Sequence, residues 1–500
     1  MAMCLSSPHV SSSARMGTFA DATGRRSIDR ARRNANSLSQ RQRRLWLLVA
    51  WLLGALVLSQ LIGQPLLIGA LVGALVVIYL AWKSVAYPLA ASAVPPLVDA
   101  IFGSDPLPKG GFTLLFAVWT VLAVLFSVLR DRHRIPSAAL ISAPVLLSFL
   151  LLGLMLLRLG ASPAEEYGST KLQLYIADTL AYLIGAVFVG YNRKDLNLFL
   201  NLTFAILSAG ALLFVADLLS GSARTVVPGR FSLAAQEYPI YLARASADGT
   251  LIATFIFLSA SRPRPRFWAA AMSPVLLVAM IAAGSRGPVL AFAFGLVTLV
   301  GLAAASPQVR RRLMGVAGVM LIAVALVPLI VPGSSVSRAL STLLGTSTGL
   351  SSNGRSELWA AALSSFSQHP LAGLGWGGFA SISPSELYPH NILLESAVEL
   401  GVVGLASVIG IIAGMAARLL AAWRAALGTE KLEFALLISL LVTAVVNALI
   451  SGAIQDNADV WLWGGLGVGA STRLVAGAPW PAPPWRRGLG GGLSSGGASR

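Results

Sequence analysis

The sequence predicts an all-α fold: a polytopic integral membrane protein of 12 to 14 transmembrane helices with a large extracytoplasmic (periplasmic) loop subdomain. Three observations predict this class. The 500 residues are 56% hydrophobic and only 11% charged, whereas soluble domains carry roughly 25% charged residues. The mean hydropathy is +0.75. The apolar residues also gather in long runs, and a helix needs about 20 such residues to cross a bilayer. A soluble enzyme, a disordered protein and a fibrous repeat are therefore disfavoured.

Apolar runs that reach or approach this length define the predicted spans. They are Leu45–Ile62, Pro65–Trp82, Gly111–Leu129, Ser137–Leu157, Leu172–Tyr191, Leu196–Leu219, Thr250–Ala260, Phe267–Ala283, Pro288–Ala305, Leu313–Val331, Asn391–Ala417, Phe434–Ile454 and Val460–Val475. Val85–Phe102 contains three prolines, which predict either a kinked span or an interfacial segment. Thr250–Ala260 is short, so we expect its helix to take residues from the preceding loop.

Between and beyond these spans lie the polar segments that complete the predicted organisation. It comprises a disordered basic cytoplasmic tail (1–44), transmembrane helices (45–331) with an outward loop (220–249), an extracytoplasmic cap loop (332–390), C-terminal transmembrane helices (391–475) and a disordered cytoplasmic tail (476–500).

The distribution of positive charge orients the predicted spans. The formal net charge is +17, and with a cytoplasmic N-terminus 28 of the 37 Lys and Arg residues fall on the cytoplasmic side. This asymmetry follows the positive-inside rule and places both termini inside. The excess charge then indicates membrane topology, and no nucleic-acid partner is expected. The single cysteine and the spacing of the four histidines predict no metal site and no cofactor.

The longest polar interval, 332–390, has the features of a folded cap. Glu357–Ser367 has helical periodicity, and the glycine-rich segment 373–379 supplies turns. Loops longer than about 15 residues are uncommon unless they are functional or disordered. The cap ends at His390-Asn391, where the next helix begins.

That helix carries two carboxylates on one face. Glu395 and Glu399 are four residues apart and share this face with Asn391, with His390 just above them. Because a carboxylate in a membrane helix costs about 2.5–3.5 kcal/mol, we expect the pair to line a polar cleft. The alternative is an N-terminal cap, with His390 and Asn391 at the helix start and the glutamates favoured by the helix dipole.

The remaining candidates are arginines on the predicted outer face. Arg286 lies in a Gly-Ser-Arg-Gly turn, and Arg230 and Arg244 lie in the loop 220–249. Arginine suits bidentate phosphate recognition, and histidine suits general-base work near neutral pH. A snorkelling interface residue is the alternative for Arg286, and a solvated charge is the alternative for the others. No P-loop or nucleophilic-serine elbow is present.

Together these elements resemble the signature of the O-antigen ligase and polymerase family. The resemblance covers about 230–404 and comprises the Ser285-Arg286-Gly287 turn, Arg355, Trp359, His369-Pro370, the Gly-Leu-Gly-Trp-Gly-Gly-Phe run, Pro389-His390-Asn391, Leu394-Glu395 and Glu399-Leu-Gly. It implies a bacterial cytoplasmic (inner) membrane glycosyltransferase, metal-independent and inverting, that acts on the outer face. The implied donor is a glycan on undecaprenyl diphosphate, and the implied acceptor is a glycolipid or a second glycan.

The resemblance also implies roles for single residues. His390 would be the general base, and Arg286 would hold the leaving diphosphate together with one arginine of the loop 220–249. The motif of many relatives is absent from that loop, so Arg230 and Arg244 both remain candidates, with Arg244 preferred. Glu395 and Glu399 match the family pattern, as cleft residues or as packing residues, and Arg355 belongs either to the cleft or to the cap.

Three functions stay open at this point. A ligase and a polymerase share donor and motif and differ in acceptor. A lipid-linked glycan transporter is the alternative from another class, but it predicts charges along many spans. Asp178 and Asp217 are nearly the only acidic residues well inside the first ten predicted helices.

Overall fold

The computed structural model describes residues 65–92, 111–130, 135–227, 230–232, 239–303, 309–318, 320, 355–383 and 386–477. The chain divides into two compact units, 1–79 and 80–500. The described part of the first unit is the beginning of one helix, and the other elements belong to the second unit. The predicted tails (apart from 476–477), the span Leu45–Ile62 and the start of the cap lie outside the described residues.

The described elements are almost all helices. In chain order they are α1 (Pro65–Lys83), α2 (Ala86–Ala91), α3 (Gly111–Arg130), α4 (Ser137–Leu140), α5 (Ala143–Leu159), α6 (Glu165–Leu174), a π-helical turn (Tyr175–Leu180), α7 (Ala181–Tyr191), α8 (Arg193–Ser220), β1 (Arg224–Val227), β2 (Arg230–Ser232), α9 (Pro239–Ser259), α10 (Pro263–Ala282), α11 (Arg286–Ala303), α12 (Arg355–Gln368), a 3-10 turn (Gly378–Ser381), α13 (Ile392–Ala425), α14 (Gly428–Ile450), a 3-10 turn (Gln455–Asn457) and α15 (Ala458–Gly477).

The predicted all-α polytopic class is confirmed. In the described part of the chain, seven helical segments are long and apolar enough to cross a membrane: the continuous segment Glu165–Tyr191 and helices α8, α9, α10, α11, α13 and α14. Shorter apolar helices end at Lys83, Arg130 and Leu159. The described strands β1 and β2 form one small antiparallel ribbon, in which Arg224 is paired with Ser232.

The predicted outward loop 220–249 is wrong in its second half. Helix α9 begins at Pro239, so Arg244 lies in a helix. The segment 239–249 is polar enough to suggest a loop, but it is packed on nearly every side. Ala243 and Ala247 are 0% exposed, and a Cβ added to Gly249 would lie 2.9 Å from Leu276. Tertiary burial therefore overrides the local preference of these residues.

Helix α13 is also not the continuous span that the sequence predicts. Gly401 has φ +71° and ψ −164°, which divides the helix after its first nine residues. The break frees the carbonyls of Val398 and Glu399, which accept hydrogen bonds from the backbone N–H groups of Leu374 (2.8 Å) and Gly375 (3.0 Å). The short first segment of α13 is thereby joined to the glycine-rich loop of the cap.

The described part of the cap has its own small core. The predicted helix Glu357–Ser367 is observed as α12, which buries Leu358 and Ala362 against Phe379 and Val398. The cap is therefore packed onto the first segment of α13.

The glycine-rich segment of the cap approaches two backbones closely. Gly375 and Gly377 have φ values of +100° and +85°, and an added Cβ would lie 2.7 Å from backbone atoms of Ser162 and Gly168, respectively. Only glycine fits such a position without strain. The segment is thereby seated between α13 and the start of α6.

Helix α15 fixes the position of the segment 165–191. A Cβ on Gly469 would lie 2.2 Å from the carbonyl oxygen of Val187, so the two helices touch through small residues. Trp461 donates to Ser148 Oγ at 3.1 Å and meets the Tyr175 ring edge-on. This packing places the N-terminal end of α6 beside the loop 451–457 that precedes α15.

Candidate active site

The backbone at His390 is held in a strained conformation. Its φ is +57°, the one positive value for a residue other than glycine in the described chain. Trp359 Nε1 donates to the carbonyl of Pro389 at 2.9 Å, on one side of His390. On the other side Asn391 caps α13, accepting from Leu393 N and Leu394 N. Strain of this kind persists only where surrounding contacts impose it, and it clusters at functional sites.

The His390 imidazole has one engaged and one open nitrogen. Nε2 lies 3.5 Å from Glu386 Oε2, and the side chain is 18% exposed. Nδ1 is buried and has no hydrogen-bond partner among the described residues. Burial lowers the pKa of His390 and Arg355 lowers it further, against smaller opposing effects of Glu386 and Asp456. Burial thus favours the neutral ring, and Nδ1 is the nitrogen left without a partner among the described residues.

Glu395 and Glu399 do not face water in this structure. Lys171 of α6 lies between them, with Nζ 2.6 Å from Glu395 Oε1 and 2.7 Å from Glu399 Oε2. All three side chains are 0% exposed. The ammonium also lies 4.0 Å from the centroid of the Trp376 ring, within cation–π distance. The two glutamates thus belong to a buried ion triad rather than to the wall of an open cleft.

Sequence reasoning missed Lys171, which it placed in an outward loop before the span Leu172–Tyr191. The structure extends that helix back to Glu165. A lysine one turn inside an amphiphilic helix start resembles a solvated residue, and its partners lie more than 220 residues away. The sequence did contain a signal for this lysine: Glu395 and Glu399 are two carboxylates in an apolar helix, and buried carboxylates need a buried cation to balance their charge.

Arg244 is buried and bound to backbone. It is 4% exposed and donates to the carbonyls of Ser451 (3.0 Å) and Asp456 (3.3 Å). Its Nε is buried without a partner among the described residues. Arg244 therefore holds the loop 451–457 in this conformation.

The loop 451–457 was also missed. Asp456 accepts from Ala453 N at 3.1 Å, and Asn457 Nδ2 donates to the carbonyls of Ser451 and Ala453. Burial raises the pKa of Asp456, while the Ala453 hydrogen bond and Arg244 lower it. The sequence signal was present, because Gln455, Asp456 and Asn457 interrupt an otherwise apolar C-terminal region.

The other predicted residues lie at the starts of elements. Arg286 is the half-buried first residue of α11, and a Cβ on Gly287 would lie 3.1 Å from Ile450, which places this helix start beside the loop 451–457. Arg355 is the half-buried first residue of α12. Arg230 opens β2, and its side chain lies outside the described part of the structure.

One set of residues therefore converges on the loop 451–457. Asn391 Nδ2 donates to the Leu449 carbonyl at 2.9 Å just before it, and Glu395 Oε2 accepts from Ile454 N at 2.8 Å within it. Arg244 holds it from α9. Within the described residues, no group of three or more His, Cys, Asp or Glu side chains is arranged to hold a metal ion.

Residues 271–409 match the model of a family described as O-antigen ligase. This matched segment, which is less than half of the chain, is similar to the O-antigen ligase family. The match supports the ligase and polymerase family and a ligase- or polymerase-type function in a multi-pass membrane protein of polysaccharide biosynthesis. His390, Arg286 and the Glu395–Glu399 pair lie inside the matched region, whereas Lys171, Arg244 and the loop 451–457 lie outside it. No curated protein matches the chain.

Proposed function

We propose that this O-antigen ligase-domain protein transfers a glycan from undecaprenyl diphosphate to the hydroxyl group of an acceptor. The reaction takes place at the outer face of the bacterial cytoplasmic membrane, with both chain termini in the cytoplasm. The acceptor is a glycolipid in a ligase and a second lipid-linked glycan in a polymerase. The family match and the loop 451–457, whose Asp456 acts on the charge of His390, support this proposal.

His390 is the general base of the proposed reaction. Nδ1 takes the proton of the acceptor hydroxyl, whose oxygen attacks the anomeric carbon of the donor. The bond from that carbon to the phosphate oxygen breaks, and undecaprenyl diphosphate leaves with the bonding electrons. A single displacement of this kind inverts the anomeric centre and needs no metal. The observation that carries the proposal is the half-buried imidazole on a strained backbone, with an Nδ1 unpaired among the described residues and a pKa that burial lowers.

Arg286 is the arginine that we propose for the diphosphate. It begins α11, where the helix dipole and the first backbone N–H groups favour an anion. An oriented guanidinium there stabilises charge that develops on the leaving phosphate. Arg230 and Arg244 are the candidates for a second arginine. Arg244 would have to exchange its carbonyl partners for phosphate, or else act by holding the loop 451–457.

The test is a transfer assay with the full chain in lipid nanodiscs. It contains an undecaprenyl-diphosphate glycan, with and without a glycolipid acceptor, and no nucleotide. Acceptor-dependent product would identify a ligase, and longer glycans without added acceptor would identify a polymerase. His390→Ala is expected to lose at least a hundredfold in rate, within the range typical of general-base removal. EDTA is expected to change nothing.

Several results would contradict the proposal. Transfer that His390→Ala retains would remove His390 as the base, and inhibition by EDTA would remove metal independence. Absence of transfer by the wild type with intact donor and several acceptors would favour the transporter instead. His369→Ala is the matched control, because His369 is an exposed histidine of the same cap and is expected to be dispensable.

A further inference from the structure

We propose that Lys171 is a positioning residue for the reaction above: through Glu395 it fixes the loop 451–457 beside His390, and through Glu399 it fixes the glycine-rich segment 373–378. This inference rests on the proposed function. Lys171 does not touch the reacting groups in this arrangement. It acts by determining where the loop 451–457 and the glycine-rich segment 373–378 lie.

Each glutamate divides its bonds between Lys171 and one loop. Glu395 gives Oε1 to Lys171 Nζ and Oε2 to Ile454 N, at 2.6 and 2.8 Å. Glu399 uses Oε2 for both Lys171 Nζ (2.7 Å) and Gly377 N (2.9 Å). Lys171 is therefore the common anchor of two loops that are distant in sequence and belong to no regular element.

Electrostatics make this anchor depend on the lysine. Two carboxylates one helical turn apart repel each other, and both are fully buried. Without the ammonium they would be buried and uncompensated, and one or both would have to turn toward water or take up a proton. A carboxylate that turns away breaks its hydrogen bond to Ile454 N or Gly377 N, and one that takes up a proton weakens that bond, so the loops would be held less firmly.

The loop 451–457 transmits this effect to His390. It is held by Glu395 from one side and by Arg244 from the other, and Asn391, the neighbour of His390, donates to the carbonyl of Leu449. Asp456 in the same loop is one of the charged groups that face His390, together with Arg355 and Glu386. A displaced loop would alter both the support and the charge around the imidazole.

Stability alone does not call for such a triad. Apolar residues of similar volume commonly stabilise a protein as well as a buried ion pair does, whereas a broken pair is strongly destabilising. A variant that neutralises all three members therefore separates the two roles. With methionine at all three positions, it removes the unpaired charge and also removes the acceptors of the hydrogen bonds from Ile454 N and Gly377 N.

The chain offers a matched control at the opposite end of α14. Arg473 is bonded to Glu433, which is 3% exposed. Glu433 precedes Ile450 by 17 residues, or about 26 Å along the helix. Neutralising this pair perturbs a buried charge of the same kind far from His390.

The experiment compares Lys171→Met, the triple variant Lys171→Met/Glu395→Met/Glu399→Met and the control Arg473→Met/Glu433→Met in nanodiscs. The readouts are kcat, KM, the acid limb of the kcat–pH profile and the thermal unfolding midpoint. We expect Lys171→Met to lose at least tenfold in kcat and to unfold earlier. The triple variant should recover the thermal unfolding midpoint, but it should recover neither kcat nor the acid limb of the kcat–pH profile. The control should keep the wild-type kcat and limb.

A triple variant with wild-type kcat and acid limb would overturn the proposal and leave the triad a stabilising feature. Should the triple variant fail to insert, Glu395→Met decides, because it removes the acceptor of the Ile454 N–H group and leaves Lys171 paired with Glu399. A lowered kcat supports the positioning role, and an unchanged kcat removes it. Failure of the proposed function looks different, because it appears as transfer by His390→Ala. Failure of the positioning role appears as an active triple variant beside an inactive His390→Ala.

Discussion

Both ends of α14 lie beside ion pairs, but only the N-terminal end has an exposed pair, next to the more buried pair Arg473–Glu433. Beside its C-terminal end, Lys171, Glu395 and Glu399 are all 0% exposed, and the two glutamates also accept hydrogen bonds from two loops. At its N-terminal end, Arg193 is 45% exposed and lies 3.1 Å from Glu430, which is 32% exposed. The same chemistry is therefore present in two dielectric environments within one helix bundle.

The difference shows which ion pairs determine the positions of the surrounding residues. An exposed pair is worth about 0–1 kcal/mol, because solvent and salt screen it. Water and salt do not screen buried charged side chains, so each of them must keep its partner and its hydrogen-bond geometry. The strained histidine also lies at the buried end, where rigid contacts on both sides hold its backbone.

The largest contrast is expected from removing one cation at each end. Lys171→Met should lower the free energy of unfolding by about 3–5 kcal/mol, because it leaves buried carboxylates unpaired. Arg193→Met should lower it by no more than about 1 kcal/mol. Chemical unfolding of both variants in detergent measures the two values. Equal losses would mean that burial does not separate the two ends.

The arginines give the next contrast, this time in activity. Arg286→Lys keeps the charge but loses the planar fork, and the rate of transfer should fall about 10–100-fold, equivalent to about 1.4–2.7 kcal/mol. Arg262, an exposed arginine at the N-terminus of α10, supplies the control Arg262→Lys, which should be silent. Initial rates at saturating acceptor compare them. A normal rate for Arg286→Lys would favour the snorkelling interpretation.

A smaller difference between the two ends is expected for the two asparagines that cap helices. Asn391 caps α13 at the active-site end, and Asn192 caps α8 by accepting from Lys194 N at 3.0 Å. Either substitution by alanine should cost about 1 kcal/mol of stability. Only Asn391→Ala should also lower kcat, since it loses the bond to the Leu449 carbonyl beside the loop 451–457. Unfolding and transfer assays on the pair check this, and equal activity would count against it.

The smallest expected effect at neutral pH comes from the charges that face His390. A base works when unprotonated, so activity should fall as pH drops through the pKa of His390, which burial holds below 6.5. Arg355→Met removes a neighbouring positive charge and should raise that pKa, moving the acid limb to higher pH. Glu386→Gln removes a negative charge and should move the limb to lower pH. Rates between pH 4.5 and 8 measure both shifts, and shifts of the same sign would contradict this account.

Local and periodic features were predictable from the sequence. Apolar runs identified the helices that are long enough to cross a membrane, since burial in a bilayer depends on length and composition. The helix Glu357–Ser367 is observed as α12 with one to two more residues at each end. The His390-Asn391 boundary is the start of α13, because an asparagine side chain satisfies free N–H groups there.

Features that depend on distant partners were not predictable. The last third of the predicted loop 220–249 is helical because Ala243 and Ala247 are buried by other helices, and the polar sequence of this segment does not indicate that burial. The break at Gly401 is imposed by the cap: a Cβ there would lie 2.2 Å from the carbonyl oxygen of Leu371.

The sequence by itself determined the class of the protein, the order of its helices and the residue types available for glycan transfer. Hydrophobic length and motif spacing are local properties, so they can be read along one chain. Only the tertiary structure decided that Lys171 joins Glu395 and Glu399, and that Arg244 holds the loop 451–457. Such pairings join residues more than 200 positions apart in the sequence. Burial makes them specific, because a charged side chain that is removed from water needs a partner inside the protein.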